Sequence, residues 1–467
     1  MKKSIVWLFI LLFGQSYAQN ISNFIHVDQF GYPPNGIKVA VISNPQQGYN
    51  ASASFNPSAR LEVRKQNNQV VFSAAPSVWN NGNTHGQSGD QGWWFDFSSL
   101  TTPGTYYIID PVRGERSGNF VISEDVYTEV MKVAGRMFYY NRCNTAKPSQ
   151  YAGQWNDGES FLNPLQDANC RSIDNPGDAS QEKDLSGGWF DAGDYNKYVT
   201  FTNTTLHYLL SAYEENPDAF SDNWNIPESN NGIPDIIDEI KWELDWLFKM
   251  TNADGSVHIK MGSRNHGENA SSPPSVNTDP RYYGPTCSSA SIVVASVFAH
   301  AAKVFADFPA LQSYANDLRQ TAITCFNYSR PFVDANSYET NCDDLRIVAG
   351  DADNDASLQL ANFVSAAIYL FEESGSSVYH NYITTHARSL EPLQFNFWGP
   401  YLLHINDALL LYAGLNNANA SLANDIRNSF SQDVSNNYNG YFGFSNSDLY
   451  RAPMPDWSYH WGSNQAK

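Results

Sequence analysis

Two aspartates three positions apart, Asp191 and Asp194, stand inside the string SGGWFDAGDYNKYV (Ser186–Val199). Ala192 and Gly193 lie between them, small residues that let a water molecule or a substrate approach the backbone. Two carboxylates so spaced can grip one water, and one of them can take its proton as the water attacks. The same spacing suits a cation site, or a helix start capped by Asp194, and on spacing alone these alternatives stay open.

Such a loop needs elements on both sides to hold it. From Ile25 to about Ser123 the chain reads as short alternating runs, IHVDQF, IKVAVIS, RLEVRKQNNQVVFS, WWFDFSS, GTYYIID and GNFVIS, with a hairpin turn over Gln66–Gln69. That pattern predicts an antiparallel β-sandwich. After Glu124 the period changes. Val126, Val130, Val133, Met137 and Tyr140 mark one face of a helix, and Ile236, Ile240, Leu244 and Leu247 mark another, with Pro234 in its first turn. Further helices are predicted at SSASIVVASVFAHAAKVF, YANDLRQTAITCFNY, ASLQLANFVSAAIYLFEE, YHNYITTHARSL and PYLLHINDALLLYAG. Long polar loops separate them, notably Asn144–Ser186 and Asn252–Pro285, and loops of that length in a compact domain usually carry function. The expected organisation is therefore a signal peptide over residues 1–18, a β-sandwich over 19–123 and an all-helical ring or barrel of hairpins over 124–467.

The opening MKKSIVWLFILLFGQSYA has the two lysines, short apolar run and small-residue end of a secretory leader cut after Ala18. Its apolar run is far short of the roughly 20 residues of a bilayer-spanning helix, and no later segment is expected to span. The protein is expected to be secreted or periplasmic, and no membrane partner is expected. Loss of Lys2 and Lys3 with the leader takes the formal charge from -20 to -22, which disfavours nucleic acid as a partner. A neutral ligand is not repelled, and 12 Trp, 27 Tyr and 27 Phe offer flat faces to sugars as well as core filling. Five cysteines in an exported chain allow two disulfides. Cys143 with Cys170 is the expected pair, and Cys325 with Cys342 the second candidate.

The wider string SGGWFDAGDYNKYV resembles the signature of glycoside hydrolase family 9, inverting endoglucanases that cut β-1,4-glucans such as cellulose. IHVDQFGYPPNGIKVAVIS resembles the immunoglobulin-like domain that precedes many family catalytic domains. NGIPDIIDEIKWELDWLFKMTNADGSVHIKM, GDADNDASLQLANFVSAAIYLF and PDWSYHWGSN resemble later family segments, in the family's order. The resemblance implies a multidomain fold, an Ig-like β-sandwich followed by an (α/α)6 barrel. It implies a β-glucan substrate, no organic cofactor, a monomer, Asp194 as catalytic base and Asp191 as the partner that holds the nucleophilic water. The proton donor, about 6.5 to 9.5 Å from the base in an inverting enzyme, is a glutamate downstream of the Trp-Gly-Ser stretch in the family. The last glutamate here is Glu391, so the barrel is expected to be incomplete at its C-terminal end and the chain as given inactive. A non-catalytic β-glucan-binding or scaffold protein is the alternative.

Candidate sugar-binding aromatics are Trp189, Tyr282, Tyr283, Trp398, Trp457 and Trp461. Some relatives hold zinc through two cysteines and histidines, but Arg171 follows Cys170 and no histidine lies between Cys143 and Asp194, which favours a disulfide. Asp351, Asp353 and Asp355 are a candidate Ca2+ site. The spacing resembles an EF-hand start, yet Asn362 stands where the loop's glutamate belongs, and an acidic turn capping the next helix is the other reading.

Overall fold

The computed structural model describes residues 20–264, 272–343, 345–348, 352–399, 402–434 and 447–452. They form two compact units that divide after Met131, with residues 447–452 returning to the first.

The first unit holds ten strands, β1 (Asn20–Ile21), β2 (Ile25–His26), β3 (Val39–Pro45), β4 (Leu61–Lys65), β5 (Val70–Ala74), β6 (Ser77–Val78), β7 (Asp90–Asp96), β8 (Gly104–Asp110), β9 (Glu115–Arg116) and β10 (Phe120–Ile122). One sheet runs β1-β9-β8-β4-β5 with β10 also on β8, and the other β2-β3-β7-β6. Because successive strand side chains alternate faces, Ala40, Ile42 and Phe95 of one sheet share a core with Leu61, Val63, Tyr106 and Ile108 of the other. The expected hairpin joins β4 to β5, with Asn68 at φ 66° and its N–H bonded to Lys65 O at 2.9 Å.

The all-helical reading of 124–467 does not extend to residues 447–452. These cover the β-sheet unit. Leu449 is fully buried beside Val41 and Trp79, the Trp79 and Trp94 indole N–H groups donate to Ser447 O and Leu449 O at 3.0 and 2.8 Å, and Tyr450 donates to Asp90 at 2.6 Å.

The second unit is built from α1 (Thr128–Asn141), which crosses the boundary, α2 (Ser149–Ala152), α3 (Thr202–Glu215), α4 (Asp235–Met250), α5 (Ser288–Phe305), α6 (Gln312–Asp334), α7 (Ala356–Ser374), α8 (Ser377–His386), α9 (Glu391–Gln394), α10 (Leu403–Gly414) and α11 (Ala420–Gln432). Consecutive helices pack in pairs, α5 with α6, α7 with α8 and α10 with α11. α5 also meets α3 and α7, and it is buried nearly all round. That position explains its Ala/Ser/Val composition. Among the described residues it alone has the length and apolarity to cross a membrane, a property not expected from the sequence, and 94% of it lies inside the unit.

The α4 stripe of Ile236, Ile240, Leu244 and Leu247 is buried as expected. The α1 stripe is not. Val133 and Met137 are exposed, and the inner face carries Tyr139 and Gly135, where a Cβ would lie 2.3 Å from the Trp224 ring. Close approach of that indole, rather than the apolar period, sets how α1 is turned. The long loops contribute three short strands, β11 (Arg171–Ser172), β13 (Lys260–Ser263) and β14 (Arg281–Tyr283), and the aspartate string a fourth, β12 (Lys197–Tyr198), in the order β11-β14-β13-β12.

Candidate active site

The aspartate pair sits on a loop between two anchored arms. Upstream, the N–H of Cys143 donates to Gly188 O at 2.7 Å, and the N–H of Phe190 to Asn141 O at 2.8 Å. Helix α4 supports the same arm. The Trp242 indole N–H donates to Gly188 O at 3.0 Å, and Glu243 accepts the N–H of Trp189 at 2.6 Å. Gly188 has φ 73°, and a Cβ there would lie 2.8 Å from Trp246 Cγ, so glycine alone lets this arm rest on the indole.

Downstream, β12 pairs with β13, which fixes Lys197 and Tyr198. Asn196 is fully buried. Its Oδ1 accepts the Ser263 N–H at 2.9 Å and its Nδ2 donates to Val348 O, while its backbone carbonyl accepts the Asp191 N–H at 3.0 Å. Residues 191–195 thus project from a closed base, with Asp191 exposed and Asp194 half-buried. Tyr198 donates its hydroxyl to Asp194 Oδ2 at 2.8 Å. A Cβ on Gly193 would meet nothing within 4 Å, which leaves the approach that a small residue was expected to provide. Asp194 caps no helix, since α3 begins at Thr202 with Phe201 before it.

Beneath the loop is a buried ionic cluster that sequence reasoning did not find. Asp167 pairs with Lys197 Nζ at 2.9 Å and Arg281 Nε at 2.5 Å, and all three side chains are fully buried. Lys197 also donates to Leu185 O at 3.0 Å and Gly187 O at 2.7 Å, and Arg281 to Tyr195 O at 2.8 Å. The two cations hold the Asp167 carboxyl below its usual range against the opposing effect of burial. Lys197 lay in the quoted string, but Asp167 and Arg281 come from separate long loops, and neither spacing nor periodicity links them.

The expected Cys143–Cys170 disulfide is absent. Both cysteines are buried free thiols: Cys143 donates to Asp167 at 3.3 Å, and Cys170 to Arg281 O at 3.4 Å. Burial pushes Cys143 up to about 12 and raises Cys170 further, so both stay protonated. Among the described residues, Cys143 and Cys170 belong to no cluster of three side chains placed to hold a metal ion, so they do not fit a zinc site. The Cys325–Cys342 alternative also fails. Cys325 is a buried free thiol, and Cys342 bonds to Cys287 at the start of α5.

Of the candidate calcium ligands, Asp351 lies outside the described residues. Asp353 accepts the N–H groups of Cys342 and Asp343 at 3.1 and 2.7 Å, and Asp355 caps α7 by accepting the Leu358 N–H at 2.8 Å. These contacts place Asp353 at the turn before α7 and Asp355 at the start of that helix.

The aromatic candidates divide. Trp189 is buried against Phe138, with ring centroids 4.7 Å apart. Trp398 is buried against Phe430, its indole N–H donating to Ser429 at 2.9 Å, and Tyr283 is buried with its hydroxyl on Gln181 O at 3.0 Å. These three are packing residues. Tyr282 points to the other face of β14, half exposed, with the Arg264 guanidinium 4.8 Å from its ring centre. Trp457 and Trp461 lie outside the described residues.

The family model described as glycosyl hydrolase family 9 matches residues 127–467, and that of the cellulase N-terminal ig-like domain matches residues 21–115. The chain belongs to glycosyl hydrolase family 9. Relatives within the family include Endoglucanase D of Acetivibrio thermocellus, 32% identical over 60% of this chain and 42% of that protein. A xyloglucan-specific endo-beta-1,4-glucanase of Bacteroides ovatus is 33% identical over 51% of this chain and 38% of that protein. The chain therefore spans about two fifths of the length of these curated relatives. Among solved structures, a metagenome-derived family 9 endoglucanase is 29% identical, with TM-score 0.75 over 94% of this chain and 76% of that one. A Bacteroides ovatus family 9 protein, 22% identical, shares the fold at TM-score 0.76 over 94% and 77% of the two chains. The family 9 assignment carries with it the fold expected from the sequence, a β-sheet domain followed by a helical domain.

Proposed function

We propose that the protein is an exported endo-acting hydrolase of β-1,4-glucans that works by a single, inverting displacement. The observation that carries the reading is the loop 191–195 of a family 9 chain, two carboxylates projected from arms tied into buried structure, with open space at Gly193. In this reading Asp191 and Asp194 hold one water below the anomeric carbon. The water oxygen bonds to that carbon as the glycosidic bond breaks, Asp194 takes the water proton, and a proton donor on the opposite face protonates the leaving oxygen. The Tyr198 hydroxyl, donating to Asp194 Oδ2, keeps the carboxylate turned toward the water. The family resemblance assigns the donor to a glutamate that follows the Trp-Gly-Ser stretch in family members.

Tyr282 is the aromatic candidate whose half-exposed ring suits a sugar face. Export is supported by the leader-like residues 1–18 and by the Cys287–Cys342 disulfide, a bond that persists in oxidising compartments. The net charge of -20 suits a neutral polysaccharide better than a polyanion, and the reading takes a single chain as the working unit.

The test is Asp194→Ala in the full-length protein, assayed for new reducing ends on a soluble cellulose derivative and for oligosaccharide binding by calorimetry. Loss of turnover by about 10³-fold or more with binding kept within a few fold supports the reading. Wild-type turnover refutes the base assignment.

A further inference from the structure

We propose that Asp167, Lys197 and Arg281 form a buried positioning clamp that fixes both shoulders of the catalytic loop, so that the attacking water meets the substrate in line. The inference rests on Asp194 being the base, as argued above. Lys197 grips the shoulder before the aspartates, through Leu185 O and Gly187 O. Arg281 grips the shoulder after them, through Tyr195 O. One carboxylate, Asp167, holds both cations. Tyr195 itself has φ 58°, a left-handed conformation costly for a non-glycine residue, and its carbonyl is the group that Arg281 binds. The rings of Trp246 and Phe161 lie against Lys197 and Arg281 at 5.3 and 4.3 Å, which keeps water from competing for these donors.

The arrangement has a charge asymmetry that makes it testable. One anion faces two cations, so removing either cation leaves a balanced buried pair, whereas neutralising Asp167 strands two buried charges. Lys197→Met, which leaves a balanced pair, and Arg281→Lys, which keeps the charge pattern of the wild type, are expected to fold, and Asp167→Asn to fail. Arg281→Lys retains a positive charge beside Asp167 but loses the second guanidinium arm that reaches Tyr195 O, which separates positioning from simple charge balance.

The experiment measures kcat, KM and amide hydrogen exchange over residues 187–195 in full-length wild type, Lys197→Met and Arg281→Lys. The clamp predicts kcat lower by about 10-fold to 100-fold with KM within about threefold, because misplacement of a reacting group acts on the chemical step. It also predicts loop exchange faster by about tenfold, with exchange in α5 unchanged. Unchanged loop exchange in both variants overturns the clamp, and faster exchange with wild-type kcat overturns its role in positioning. If wild-type protein cleaves no β-1,4-glucan, the functional reading fails instead, and the exchange result alone decides whether the shoulders are clamped.

Discussion

The hydroxyl of Tyr198 donates to Oδ2 of Asp194 at 2.8 Å, four residues along the chain and across the turn into β12. A hydroxyl fixed in a strand thereby sets the orientation of a carboxylate on a loop. Tyr198→Phe keeps the ring that packs on Phe201 at 4.6 Å and deletes the hydroxyl, which donates to Asp194 and accepts a long bond from Asn196 Nδ2 at 3.5 Å. A hydrogen bond to a charged group contributes about 1.5 to 3 kcal/mol, so kcat is expected to fall by about 10-fold to 100-fold. Steady-state kinetics with thermal melting as the stability control checks this.

Glu243 is buried in α4 and accepts the Trp189 N–H, and burial pushes its carboxyl up from 4.5 to about 8. A raised carboxyl pKa means that the folded state binds more protons than the unfolded chain between those values. Stability from this group is full below pH 4.5 and is lost as pH rises through about 8, on the order of 5 kcal/mol across the window. Glu243→Gln keeps an oxygen for the Trp189 N–H and removes the titration. Urea unfolding of the variant should show a flatter decline from pH 5 to pH 8.5 than wild type.

Two glycines of the same string make opposite predictions. Gly188→Ala places a methyl against Trp246 at φ 73° and should cost about 2 kcal/mol or more. Gly193→Ala meets no atom within 4 Å, so its stability should change by no more than about 0.5 kcal/mol. If water and substrate enter past Gly193, that variant should still lose kcat/KM. Melting curves and initial rates on the two proteins decide both points.

The Cys287–Cys342 disulfide spans a sequence separation of 55 and ties the start of α5 to the turn before α7. Chain-entropy arguments put such a bridge at roughly 4 kcal/mol. Reductant, or Cys287→Ser with Cys342→Ser, should lower Tm markedly. Cys143, Cys170 and Cys325 should resist thiol labelling until the protein unfolds, because all three are buried.

The sequence exposed what repeats or alternates, and the aspartate string itself. β4, β8 and α4 follow from period two and period 3.6, and α5 spans the residues read as its helix. Helix α3 was hidden because its buried side includes Asn203, His207 and Ser211 beside Leu206 and Leu210. His207 pairs with His300 Nδ1 at 2.8 Å and with Ser296 at 3.0 Å, so a polar stripe is satisfied inside the fold. No local pattern announces that partnership. The Asp167 cluster and the Cys287–Cys342 bond were hidden for the same reason, since each joins residues that only the folded chain brings together.

The central claim is one displacement by a water held at Asp191 and Asp194, and the anomeric configuration of the first product tests it most directly. Full-length protein cutting a β-1,4-glucan oligosaccharide should release the α-anomer at the new reducing end, read by proton NMR before mutarotation. Release of the β-anomer would show a double displacement and contradict the account.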